Sequence, residues 1–254
     1  MAILERERRG RTEILTLNRP EARNAMSPEL SLALDQAFDE LDGDADVLAV
    51  VLTGNGPVFC AGADLKVVAS GNAAGINAPV GGFGGLAWRD FSKPVIAAVN
   101  GAAVAGGFEL VLSCDLVVAA EHAVFGLPEV KRGLLAAAGG PIRLAQRVPL
   151  PTAIEIVITG DPISAARAYE LGLVNRVVPA DRVIEEALEL ADRIARNSPA
   201  AIRAGRALVR GCALAGEAAG WELTNELARE VFESGDPIEG ATAFAEKRDP
   251  VWNS

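Results

Sequence analysis

Residues 97–120, "AAVNGAAVAGGFELVLSCDLVVAA", constrain the fold more than any other part of this chain. They read as apolar strand, glycine-bearing turn, short helix and apolar strand, with Glu109 set among apolar residues in the middle and the next charge at Asp115. Burying an ionised carboxylate is costly unless a partner holds it or its pKa rises. The segment therefore implies both an architecture and a reason for that acid.

The architecture extends along the chain. "AILERERRGRTEILTLN" alternates apolar and polar residues around Arg9 and Gly10, the pattern of paired strands. "SPELSLALDQAFDELDGD" reads as an amphipathic helix. Ser27 can cap it, Pro28 suits its first turn, and Leu30, Leu34, Phe38 and Leu41 share one face. "VLAVVLTGNG" and "KPVIAAVNG" are apolar strands, and "CDLVVAAEHAVFG" supplies a third with room for a fourth. Residues 67–86, "VVASGNAAGINAPVGGFGGL", are too glycine-rich for a firm helix and suggest a mobile loop or loosely helical flap near a site. From about residue 140 the helical period takes over, and after the short strand "VNRVVP" residues 182–247 are almost wholly helical. Strands alternating with helices, then a helical tail, indicate an α/β fold with a C-terminal helical part.

Composition narrows the function. With 254 residues, half of them hydrophobic, the chain can bury one large domain, alone or with a smaller appendage. A net charge of −10 argues against the phosphate-neutralising surface of a nucleic-acid binder. Cys60, Cys114 and Cys212 lack metal-like or paired spacing, which fits neutral thiols in a reducing compartment. No apolar run reaches membrane-spanning length and the N-terminus has no signal-like core, so a cytoplasmic protein with no membrane partner is expected. The single histidine, His122, lies in the strand-like "AAEHAVF" and reads as structural rather than as a member of a catalytic triad.

Three glycine-bearing turns follow strands: "GPVFCAGADLK", "GAAVAGGFEL" and "FGLPEVKRG". None carries the G-x-G-x-x-G of a dinucleotide site, and "GAAVAGGFE" lacks the lysine and hydroxyl of a phosphate loop. A helix starting near Gly106 would instead present unpaired N–H groups and the positive end of its dipole. A second N–H from "AGAD" would complete a pair of donors for a carbonyl oxygen on which negative charge develops. Glu109 lies three residues into that helix, and Glu129 follows a strand and a proline in "LPEV". Two acids beside two such donors suit proton transfers next to an activated carbonyl. From spacing alone Glu109 reads equally as an acid favoured by a helix N-terminus, and Glu129 as an exposed turn acid.

Taken in order, these segments resemble the crotonase family, the enoyl-CoA hydratase/isomerase superfamily. "NRPEARNAMSPEL" is similar to its opening strand, turn and helix, and "LTGNGPVFCAGADLK" to its most diagnostic segment. "KPVIAAVNGAAVAGGFELVLSCDLVVAAEHAVFGLPEVKRGLLAAAGG" resembles its catalytic core, and "AFAEKRDPVW" its C-terminal close. The resemblance implies a spiral of ββα units over residues 1–196 and a C-terminal helical trimerisation segment over residues 197–254. In the latter, Ala201, Leu208, Val209 and Cys212 form one apolar face and Trp221, Leu223, Leu227 and Val231 the next, fitting a homotrimer or a hexamer of paired trimers. The resemblance further implies that the amides of Ala63 and Gly106 hold an acyl-CoA thioester oxygen, that Glu109 activates water and that Glu129 protonates the α-carbon. Arg23, Ala61, Asp64, Leu65 and Lys66 would lie along the CoA, with Lys247 reaching its phosphates.

The implied reaction is reversible hydration of a trans-2-enoyl-CoA, as in fatty acid β-oxidation. Isomerisation, or dehydration of a specialised CoA thioester, is the near alternative, and a non-catalytic acyl-CoA-binding scaffold the distant one. No metal or redox cofactor is implied, since CoA enters as part of the substrate. Two departures bear on the acyl pocket: Ala105 where the family often has a third glycine, and "GLLAAAGG" where many hydratases carry a proline.

Overall fold

Charge and hydropathy separate at the first hairpin of the computed structural model, which describes residues 2–252. Strand β1 (Leu4–Arg9) is almost wholly exposed and pairs antiparallel with the buried β2 (Thr12–Leu17). Arg6 and Arg8 of the edge strand both reach the buried Glu13 carboxylate, at 2.9 and 2.8 Å. A charged edge of this kind protects a sheet from pairing with other chains. Helix α1 (Pro28–Gly43) begins as expected: Ser27 Oγ accepts the Leu30 amide, and Leu30, Leu34, Phe38 and Leu41 are fully buried.

The chain then repeats a simple step. One strand joins the main sheet, the next joins a second sheet, and a helix or turn follows. β3 (Ala49–Gly54) is followed by β4 (Val58–Cys60) and α2 (Leu65–Ala69). A small hairpin, β5 (Asn77–Ala78) with β6 (Gly82–Phe83), leads to β7 (Val95–Val99), β8 (Ala102–Val104) and α3 (Gly106–Ser113). β9 (Leu116–Ala120) and β10 (Val124–Gly126) complete the third step with a 3₁₀ turn at Pro128–Arg132. Then come α4 (Gly140–Arg147), α5 (Leu150–Thr159), β11 (Ile163–Ser164), α6 (Ala165–Glu170) and β12 (Arg176–Val178).

The six-stranded sheet runs β1-β2-β3-β7-β9-β12 and the four-stranded sheet β11-β10-β8-β4. β2, β3, β7, β9 and β12 are mutually parallel, as are β4, β8 and β10. Each repeat thus advances both sheets by one strand, which is the expected spiral of ββα units. Fully buried Val50, Leu52, Ile96, Ala98 and Val118 form its interior.

Two sequence expectations change in detail. Residues 67–86 are folded in short pieces rather than as a loose flap, because α1 anchors them. Asp35 Oδ1 accepts the Gly81 amide at 2.8 Å and Arg89 Nη2 at 2.6 Å, and Ser31 Oγ accepts the Gly84 amide at 3.0 Å. The Asp35–Arg89 pair is buried, at 4% and 5% side-chain exposure, so its geometry is held by several bonds at once. His122 sits in an exposed turn between β9 and β10 rather than within a strand. Of the thiols, Cys60 and Cys114 are buried and Cys212 is exposed, and burial pushes Cys60 up to about 12, so it stays neutral.

The chain forms two compact units, Met1–Ala191 and Asp192–Ser254. Helix α7 (Val183–Ala195) buries Val183, Ala187 and Ala191. In the second unit α8 (Pro199–Ala215) and α9 (Glu217–Glu233) pack along each other, and α10 (Asp236–Glu246) follows. Ser198 Oγ donates to buried Asp236 at 2.6 Å, joining the starts of α8 and α10. Among the described residues no helix is long and apolar enough to cross a membrane.

Candidate active site

A cavity of about 430 Å³ opens within the first unit. Ala61, Ala63, Leu65 and Val68 form one wall, and Ile76, Phe83 and Trp88 of the folded flap (residues 67–88) form another. Gly106 and Glu109 lie at the start of α3, with Glu129, Arg132 and the Leu134–Ala138 stretch opposite.

The two amides expected from the sequence come together here. Met26 donates to Gly62 O at 2.7 Å and accepts from the Asp64 amide at 2.9 Å, which turns the intervening Ala63 N–H away from that ladder. Gly62 has φ +91°, and a Cβ on it would stand 2.9 Å from Gly106 N, so the turn and the helix start touch. Gly106 is the first residue of α3, where no carbonyl of the helix can reach its N–H. Its own missing Cβ would overlap the Phe83 ring at 2.3 Å. Neither amide has an acceptor among the described residues. Ala105, just before them, is held at φ +52°, ψ −131°, a conformation suited to glycine.

The two acids differ in their surroundings. Glu109 is buried at 3% exposure, and its Oε1 accepts the amides of Ala138 and Gly140, each at 2.8 Å. Burial pushes its carboxyl up, opposed by the Gly140 and Ala138 amides and by the positive charge of Arg143. Glu129 Oε2 is buried with no hydrogen-bond partner. Burial pushes Glu129 up to about 7, its own backbone amide opposes this, and the charge of Glu109 adds to the rise. An unsatisfied buried carboxylate oxygen calls for an explanation, and a half-protonated acid beside a hydrogen-bonded carboxylate supplies one.

The other expected residues divide. Ala61 and Leu65 line the cavity beside Ala63. Asp64 is engaged elsewhere: it accepts Arg19 Nη2 at 3.1 Å and caps α2 through the Lys66 amide at 3.1 Å. Arg23 and Lys66 are exposed and outside the cavity lining, although Arg23 O accepts the Ala61 amide at 3.1 Å. Lys247 belongs to the second unit, exposed at the C-terminal end of α10. Sequence reading missed Phe83, Trp88 and Arg132 as wall residues, and missed the amides of Ala138 and Gly140 as the holders of Glu109. The glycine pair in "AAAGG" was the available signal for the last of these.

The profile of the enoyl-CoA hydratase/isomerase family matches residues 9–254. The chain belongs to that family. Enoyl-CoA hydratase EchA19 of Mycobacterium tuberculosis is 42% identical, the match covering 96% of this chain and 94% of that one. Mevalonyl-coenzyme A hydratase sidH of Aspergillus fumigatus is 43% identical over 94% of this chain and 90% of its own. The crystal structure of an enoyl-CoA hydratase from M. tuberculosis H37Rv superposes with a TM-score of 0.93 at 43% identity, covering 98% of each chain. Family membership accounts for the crotonase-type ββα spiral, and the cavity is where the family's acyl-CoA chemistry has to be sought.

Proposed function

We propose that this chain is an enoyl-CoA hydratase, a hydro-lyase that adds water reversibly to a trans-2-enoyl-CoA to give the 3-hydroxyacyl-CoA. The amides of Ala63 and Gly106 donate to the thioester oxygen. Glu109 takes a proton from water as its oxygen bonds to C3, and the electron pair of the C2=C3 bond moves toward the carbonyl. The enolate charge rests on the oxygen held by the two amides, each such donor contributing about 3 kcal/mol in comparable sites. Glu129 then delivers its proton to C2. Dehydration runs the same transfers backwards. No cofactor takes part beyond the CoA carried by the substrate. The CoA moiety runs along Arg23, Ala61, Asp64, Leu65 and Lys66, with Lys247 contributed by a neighbouring subunit.

The observation carrying this reading is the unequal pair: one carboxylate held by two amides, the other with one buried oxygen lacking a partner, beside two N–H groups lacking acceptors. A scaffold that only binds acyl-CoA has no use for a carboxyl poised at about 7. The second unit supports assembly into trimers or paired trimers, because Val209, Phe232, Ile238 and Phe244 are 71–87% exposed on its surface. We place the enzyme in the cytoplasm, in fatty acid metabolism.

The test is loss of the conjugated thioester absorbance when crotonyl-CoA and longer enoyl-CoAs are added. Turnover supports hydration. Conversion of a 3-enoyl-CoA with little hydration would favour the isomerase, and binding without turnover the scaffold.

A further inference from the structure

Glu109 does not hold its own position. Its Oε1 is fixed by the amides of Ala138 and Gly140, so the carboxylate can be aimed only as well as that loop is placed. The loop carries no side chain larger than a methyl between Ala136 and Gly140 and cannot anchor itself by packing. Arg143, one turn into α4 and half-buried, supplies the anchor. Its Nη1 donates to Ala138 O at 2.9 Å, and its Nη2 donates to Ala87 O on the flap. A single guanidinium thus ties the loop that holds Glu109 to the wall carrying Phe83 and Trp88. Gly139 is part of the arrangement: at φ +100°, a Cβ there would lie 2.1 Å from Arg143 Nη1.

We propose that Arg143 is a positioning residue for Glu109, bracing the Ala138–Gly140 loop against the flap so that the loop amides aim the carboxylate into the cavity. The proposal rests on the reading of Glu109 as the base that activates water. A planar fork with two separate donors fits this task, and a lysine ammonium, a point charge on a flexible stem, meets it only in part. The positive charge also favours the ionised carboxylate, as a nearby cation does. The other charged or titratable groups lining the cavity with Glu109 are Glu129 and Arg132.

The test uses Arg143→Gln and Arg143→Lys in the full-length protein, with two readouts. Hydrogen–deuterium exchange of a peptide spanning residues 134–141 reads the loop independently of activity. The Gln variant should exchange there about tenfold faster, since freed loop amides open more often. Its kcat on crotonyl-CoA should fall about 10- to 100-fold with KM changed less than threefold, as for a group displaced from its near-attack position. The acid limb of kcat/KM should move to higher pH in the Gln variant and stay in place in the Lys variant, which keeps the charge, while kcat recovers only in part. Should the Gln variant not fold, the Lys variant decides: faster loop exchange and reduced kcat support the brace, and wild-type values for both refute it. Unchanged exchange, an effect confined to KM, or faster exchange with kcat and the acid limb unmoved overturns the proposal. If the wild-type protein hydrates no enoyl-CoA, the Glu109 reading fails on its own, and loop exchange still decides whether Arg143 is a brace.

Discussion

Glu109 and Glu129 line one cavity but are held differently: Glu109 Oε1 receives two backbone amides, while Glu129 Oε2 is buried with no hydrogen-bond partner. The amides stabilise the ionised form of Glu109, while burial of Glu129, only partly opposed by its own backbone amide, favours the neutral form. This difference suits Glu109 to the base's part and Glu129 to the acid's part in the proposed mechanism, and the charge of Glu109 adds to the cost of ionising Glu129.

The first expectation concerns pH. In the proposed mechanism hydration needs Glu129 protonated and Glu109 ionised, and dehydration needs the reverse. Both states carry one proton on the pair, so the two directions share one bell-shaped profile. Its basic limb should fall with an apparent pKa of about 7 as Glu129 ionises. Measuring kcat/KM against pH with crotonyl-CoA checks this, and a profile with no basic limb near 7, or one whose basic limb persists in Glu129→Gln, would refute the assignment.

The same carboxyl limits stability. Its folded value, about 7, lies above the ordinary 4.5, so the ionised form costs the folded state. That stability is fully present below 4.5 and is lost as pH rises through about 7. Solvent access tempers the cost to about 1 kcal/mol, or roughly 2–4 °C in a chain of this size. Glu129→Gln should therefore melt about 2–4 °C above wild type at pH 8 and level with it at pH 4. Thermal melts at the two pH values decide it.

Ala105 occupies a glycine conformation at φ +52°. Such a residue stores about 1–3 kcal/mol of strain, part of which glycine forfeits to its greater unfolded freedom. Ala105→Gly should raise the melting temperature by about 2–4 °C. A lower melting temperature would show that the methyl group's packing outweighs the strain.

Gly62 keeps the space beside the Gly106 amide, a donor in the proposed mechanism, open. Gly62→Ala would place a methyl 2.9 Å from Gly106 N in a backbone at φ +91°. Displacing one oxyanion donor costs about 10²- to 10³-fold in kcat. Steady-state kinetics on crotonyl-CoA, with a melting curve to show the variant folded, should find a loss of that order.

Much of this arrangement was legible in the sequence because local signals agreed. Ser27 and Pro28 start α1, apolar runs give β3, β7 and β9, and the glycine turns place Ala63 and Gly106 on the cavity wall. What stayed hidden depends on contacts distant in sequence. Residues 67–86 look loose until Asp35 and Arg89 pin them, partners 54 positions apart. The hold on Glu109 comes from amides about 30 residues on, at Ala138 and Gly140, and a backbone amide carries no mark of its own in a sequence. The Asp64 carboxylate pairs with Arg19 and caps α2, contacts that its place in "AGADLK" does not announce. Short-range pattern cannot choose between such uses of a charged turn residue.

The most direct test of the central claim is kcat/KM for crotonyl-CoA with Glu109→Gln, Glu129→Gln and the double variant, each shown to be folded. If the two carboxyls share one pair of proton transfers, each single change lowers kcat/KM by about 10²- to 10⁴-fold, and the double variant falls little further. A folded single variant retaining activity near wild type, or losses that multiply in the double variant, would contradict it.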